Sequence, residues 1–107
     1  MGNKGNVIIM GGNIPHCELI RKIKARGYNT ILVDYLDAPA AKSVADVHIQ
    51  KSILDKDIVL EIAREYKPKF IANLCVDRAM VPTAYVCDKL GINNFVKNIC
   101  FSVFANI

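Results

Sequence analysis

The residues able to do chemistry gather at three places along the chain. Met10-Gly11-Gly12-Asn13 follows a short apolar run and precedes a helix-patterned segment. Glycines let the backbone approach a ligand closely, and the amides and dipole of a helix N-terminus favour an anion such as phosphate or carboxylate. The same residues also make an ordinary ligand-free turn between strand and helix, and the sequence leaves both readings open. Asp34 closes a second apolar run. Its carboxylate can accept from a ribose hydroxyl or an amine, or remain solvated in a loop. Asp77 follows a later run and can bind a substrate amine or cap the next helix.

Asp34 lies about 20 residues beyond the glycine turn, the distance at which dinucleotide-binding folds place their ribose-binding acid. The turn itself departs from that fingerprint. It runs Gly11-Gly12-Asn13-Ile14-Pro15-His16, so no G-x-G-x-x-G fits, and Pro15 and His16 put bulk where a glycine should allow close approach. His16, in the first turn of a helix, is expected to be exposed, and His48 is assigned no role. There is no G-x-x-x-x-G-K-[ST] phosphate loop and no Ser/His/Asp or Cys/His arrangement, so no catalytic residue is named. Cys17, Cys75, Cys87 and Cys100 form no C-x-x-C pair, and with two histidines they give no metal-ligand spacing. They read as reduced, mostly buried thiols of a cytoplasmic protein.

The elements that must position these residues alternate between two periodicities. Asn6 to Met10 is a continuous apolar run, the pattern of a strand buried on both faces. Ile14 to Arg26 is a helix with Pro15 in its first turn, Asn13 as N-cap and Gly27 as C-cap. Thr30 to Asp34 is a second strand, Ala38 to Ala45 a short helix, and Val47 to Gln50 a third strand. Asp55 or Asp57 caps a helix lined by Ile58, Ile62 and Tyr66 and stopped by Lys67-Pro68. Phe70 to Cys75 is a fourth strand, and Met80 to Leu90 a helix with Pro82 in its first turn and Gly91 beyond its end. Asn94 to Val96 is a candidate fifth strand. Strands alternating with helices require parallel pairing through right-handed crossovers. The expected fold is therefore α/β: a Rossmann-like, doubly wound parallel sheet of four to five strands with helices on both faces. Ligands on such a sheet collect at the carboxyl ends of the strands, near the point where strand order reverses.

A chain of 107 residues holds one domain and one core. It is 52% hydrophobic and 22% charged, an ordinary balance for a compact protein rather than a disordered one. The net charge of +4 comes from scattered residues such as Lys22, Lys24 and Arg26, or Lys67 and Lys69, without interleaved aromatics. No nucleic-acid partner is expected from that pattern. No apolar run approaches the roughly 20 residues of a membrane span. The stretch from Ile99 to Ala105 carries Cys100, Phe101, Val103 and Phe104 and no charge. So apolar a tail is expected to pack on something, in a homodimer or across the sheet edge, and its unpolar end reads as a cut. Residues 1–97 are taken as the domain and 98–107 as the apolar tail.

Read in order, several short motifs resemble the N-terminal domain that precedes the ATP-grasp fold in carboxylate–amine ligases. The relatives are the carbamoyl-phosphate synthase large subunit, biotin carboxylase and the purine-pathway ATP-grasp enzymes. The resemblance covers about residues 6–95 and rests on Gly11-Gly12, Ala25-Arg26-Gly27-Tyr28, Val33-Asp34 leading to Ala38-Pro39-Ala40, and Ala45-Asp46. It continues through Ile53-Leu54-Asp55, Lys67-Pro68, Val81-Pro82-Thr83-Ala84 and Lys89-Leu90-Gly91. It is nearest to carbamoyl-phosphate-synthase-like ligases. In such enzymes ATP phosphorylates a carboxylate, and an amine attacks the acyl phosphate. The resemblance implies that ATP and Mg²⁺ are held by later domains, with no cofactor in this chain. A small carboxylate or amine substrate would meet Gly11-Gly12-Asn13, Asp34 with Pro39, and Asp77. Asn13-Ile14 stands where one purine-pathway relative has a glutamate. Ala105-Asn106-Ile107 falls about where the family's Asn-Lys step would open the ATP-grasp region. This stretch by itself is therefore expected to be inactive, its partners being the missing ATP-grasp domains.

Overall fold

A computed structural model of the chain describes residues 4–73 and 80–92. Among the described residues, four strands alternate with helices in the order β1 (Asn6–Met10), α1 (Ile14–Ala25), β2 (Asn29–Val33), a 3₁₀ turn (Ala40–Ser43), β3 (Val47–Ile49), α2 (Lys56–Tyr66), β4 (Phe70–Ala72) and α3 (Met80–Leu90). The strands form one parallel sheet in the order β3-β2-β1-β4. The chain moves outward from β1 to β2 and β3, then returns across β1 to β4. Strand order thus reverses beside β1, as the Rossmann-like reading requires.

Alternation along the strands divides the core in two. Ile8, Met10, Ile31, Val33 and Ile71 face α2 and α3, where Val59, Leu60, Ile62, Ala63, Val86 and Cys87 complete one cluster. Val7, Ile9, Leu32, Phe70 and Ala72 face the other way, onto Leu19, Ile20 and Ile23 of α1 and Ala41 of the 3₁₀ turn. Helices therefore cover both faces, and β1 is a continuous apolar run because neither of its sides meets water. Tyr28 closes the lower edge of the second cluster, its ring edge-on to Phe70 with centroids 5.5 Å apart.

The helix ends follow from local chemistry. Asn13 caps α1, its side-chain oxygen accepting from the His16 N–H at 3.3 Å. The Asp55 carboxylate caps α2 by accepting from the Asp57 and Ile58 N–H groups at 3.2 and 3.3 Å. Lys67 ends α2 in the left-handed region at φ 49°, with its N–H donating to the Ala63 carbonyl at 2.8 Å. Gly27 and Gly91 follow α1 and α3 with φ of 95° and 66°.

Several expectations shift. The second strand ends at Val33, so Asp34 stands just beyond it, and the short helix near Ala40 is a single 3₁₀ turn. The fourth strand stops at Ala72. Asp77, Cys75, Cys100, the fifth strand proposed at Asn94 to Val96 and the apolar tail at 98–107 lie outside the described residues. Among the described residues no helix is long and apolar enough to cross a membrane.

Candidate functional site

The turn after β1 is assembled from three separate stretches of chain. Gly11 takes φ 99°, and its N–H donates to the Val33 carbonyl at 2.8 Å, extending the β1–β2 ladder by one step. The Gly12 N–H donates to Asp34 Oδ2 at 2.7 Å, and the Gly12 carbonyl accepts from the Ala41 N–H at 2.9 Å. A Cβ on Gly12 would lie 2.9 Å from Pro39 Cβ and 3.1 Å from Leu32 Cδ2. Glycine is needed here because Pro39 packs directly on the backbone.

Asp34 joins this turn to the loops after β2 and β3. Its other oxygen, Oδ1, accepts from the Leu36 N–H at 2.8 Å, closing a local side-chain turn. Its own N–H donates to the Ile49 carbonyl at 3.1 Å, and its carbonyl accepts from His48 Nε2–H at 3.1 Å. His48, given no role from sequence, thus braces the Asp34 backbone.

His16 is fully buried rather than exposed, because its ring folds back beneath the glycine turn. Nδ1 bonds the Gly11 carbonyl. A carbonyl only accepts, so Nδ1 carries the proton. Burial holds the imidazole below its ordinary value near 6.5, against the opposing pull of the Gly11 carbonyl and the Asp34 charge. His16 is thus a neutral support for the turn.

These groups border a cavity of about 500 Å³ at the carboxyl ends of β1, β2 and β3. Gly11, Gly12, Asn13 and Asp34 line it, together with Tyr35 and Ser52-Ile53-Leu54. The structure therefore brings Gly11, Gly12, Asn13 and Asp34 to one place. Pro39 sits behind Gly12, outside the lining, and is buried. Tyr35, Ser52, Ile53 and Leu54 were not read from sequence as site residues. The loop after β3 lies at a carboxyl strand end, so the general rule for parallel sheets would have found it. One physical expectation changes. The Gly11 and Gly12 amides both bond β2 or its loop, so neither is turned toward an incoming anion. Among the described residues no group of three or more His, Cys, Asp or Glu side chains could hold a metal ion.

No protein-family model matches the sequence, and no curated protein matches it. Solved structures do. Phosphoribosylglycinamide synthetase from Anaerococcus prevotii superposes with a TM-score of 0.73 at 23% identity, over 83% of this chain and 23% of that one. N5-carboxyaminoimidazole synthetase from Staphylococcus aureus gives 0.69 at 17% identity, over 83% of this chain and 24% of the other. UDP-glucose 4-epimerase from Thermotoga maritima gives 0.66 at 16% identity, over 84% and 35%. This chain thus spans about a quarter to a third of the length of the proteins it matches. At these identities the likeness is one of fold: the chain is a parallel, Rossmann-like α/β domain of the architecture found in both ligases and epimerases.

Proposed function

We propose that this chain is the substrate-side, pre-ATP-grasp-like domain of an ATP-grasp ligase. The observation that carries the reading is the superposition of more than four-fifths of the chain on phosphoribosylglycinamide synthetase and N5-carboxyaminoimidazole synthetase. The motifs shared with such domains fall in the same order along the chain. The cavity at the glycine turn and Asp34 supports it further, since a substrate-side domain presents strand-end loops to the acceptor. In the finer form of the proposal, ATP and Mg²⁺ bind later domains, a carboxylate is phosphorylated, and an amine attacks the acyl phosphate, as in carbamoyl-phosphate-synthase-like ligases. The 107-residue chain with ATP and Mg²⁺ should then show no turnover above a matched blank, because it carries no phosphate loop. Saturable ATP hydrolysis by the purified chain would overturn the proposal.

A second reading, a stand-alone nucleotide- or NAD-binding module, draws on the epimerase superposition and on Asp34 at the end of β2. Against it stand Pro15 and the buried His16 at the helix start, and Pro39 wedged on Gly12. These crowd the turn a pyrophosphate must approach. Micromolar NAD binding, absent in Asp34→Ala, is the result that would favour this module.

A further inference from the structure

A separate cavity of about 360 Å³ is lined by Ala63, Arg64, Lys67, Pro68, Leu90 and Ile92. Lys67 and Pro68 lead into β4, so it lies at the amino ends of the strands, across the sheet from the glycine turn. Two helix ends build it. Lys67 closes α2 with its N–H on the Ala63 carbonyl at 2.8 Å, and beyond α3 the Ile92 N–H returns to the Cys87 carbonyl at 2.9 Å. With Gly91 at φ 66°, that second bond is the long one of a Schellman cap, which folds Ile92 back toward α3. Ala63, Pro68, Leu90 and Ile92 give the cavity apolar surface, while Arg64 and Lys67, both exposed, give it two positive charges.

Two observations set these cations apart from ordinary surface charge. Among the described residues neither side chain has an ion-pair or hydrogen-bond partner, and residues 93–107, which continue from Ile92, contain no Asp or Glu. Lys67 is also, among the described residues, the one non-glycine with a left-handed backbone, at φ 49°. A glycine would close α2 there without strain, so the backbone is held against its preference where the lysine meets the cavity. Strain of this kind gathers at ligand sites. Cations at a helix C-terminus also offset its dipole. The two termini together carry about one negative charge, however, and Arg64 with Lys67 exceeds it by about one.

We infer that this cavity binds an organic anion. A phosphate or carboxylate head meets Arg64 and Lys67, and a compact apolar body lies against Pro68, Leu90 and Ile92. The volume falls at the lower end of the range of small-molecule sites, which suits a small body. The site is separate from the crevice at the glycine turn and does not depend on how that crevice is read.

Proton–nitrogen correlation spectra of the full chain, titrated with phenyl phosphate, hexanoate, inorganic phosphate and benzyl alcohol, test this. Phenyl phosphate or hexanoate should give saturable shifts at the Ala63, Lys67, Leu90 and Ile92 amides, and the tighter of the two assigns the head group. Inorganic phosphate and benzyl alcohol, each half of the ligand, should bind there about tenfold more weakly. Arg64→Gln and Lys67→Gly should each weaken the tighter probe about threefold, the worth of an exposed ion pair. Because Lys67→Gly relieves the backbone, weaker binding at an unchanged or raised melting temperature is a loss of charge and not of fold. Inorganic phosphate binding as tightly as phenyl phosphate, or benzyl alcohol binding as tightly as either anion, overturns the inference. So does indifference to both substitutions, or the absence of a saturable shift at these amides. Shifts confined to Gly12 and Asp34 overturn it as well and place the ligand in the crevice of the glycine turn. None of these outcomes bears on the ligase reading, since the two cavities are separate.

Discussion

Gly12 is held between two segments distant in sequence, with Asp34 on its N–H and Ala41 on its carbonyl, while Pro39 covers its α-carbon. A methyl there would come within 2.9 Å of a proline ring atom, too close for any real Cβ contact. Overpacking of this kind typically costs 1–3 kcal/mol. Gly12→Ala is therefore expected to destabilise the chain by about that much, and Pro39→Gly in the same chain to recover part of the loss. Denaturant unfolding of the two single variants and the double variant measures the coupling, and strict additivity would exclude the contact as the cause. The glycine pair was legible in the sequence, but its reason was not. Glycine next to a helix start points to ligand approach, whereas the packing partner Pro39 lies 27 positions away and enters only through the fold. His16 illustrates the same limit: a lone histidine near a helix start carries no sign of burial, and only the returning Gly11 carbonyl shows why it is inside.

Among the elements, those with strong local signals were read from the sequence to within a residue or two. β1 and the start of α1 match, and α1 ends one residue early, at Ala25 with Arg26 rather than Gly27 as its C-cap, because a continuous apolar run, an Asn cap and a nearby glycine each act locally. The short elements are less legible. β3 has three residues and, among the described strands, pairs only with β2, so cross-strand bonds rather than its own pattern define its ends. Lys67 was read correctly as a stop, on the strength of Pro68, yet nothing in its type announces a left-handed backbone. Outside glycine that conformation costs roughly 1–2 kcal/mol. Lys67→Gly should relieve it and, after the added freedom of the unfolded chain, raise stability by up to about 1 kcal/mol. A lowered urea midpoint for this variant would mean the lysine stem contributes more by packing than its backbone loses.

At the scale of the molecule, His16 and Asp46 contribute to the acid response in separate ranges. His16 has a folded pKa below its ordinary 6.5, so the unfolded chain binds the proton first. Its contribution is complete above about 6.5 and is lost as pH falls from there toward the lower folded value. Asp46 differs: burial pushes its carboxyl up, but the Thr30 N–H and hydroxyl and the Lys24 ammonium outweigh that and hold it below 3.8. Its contribution is present above that value and declines only in stronger acid. Stability measured from pH 8 to 3 should first fall just below 6.5, and His16→Gln should flatten that first decline while leaving the later one. The central position of β1 has a further outcome, during synthesis. The Asn6 side chain accepts from Asn29, 23 positions on, and donates to the Tyr66 carbonyl, 60 positions on. Closing the longer loop costs about 0.9 kcal/mol more entropy than the shorter. A nascent chain can zip β1 to β2 and lay α1 across them while β4 is still inside the ribosome. Ile8 and Met10 must then wait, half covered, until the later helices emerge, and it is this side of the newborn protein that a chaperone would meet.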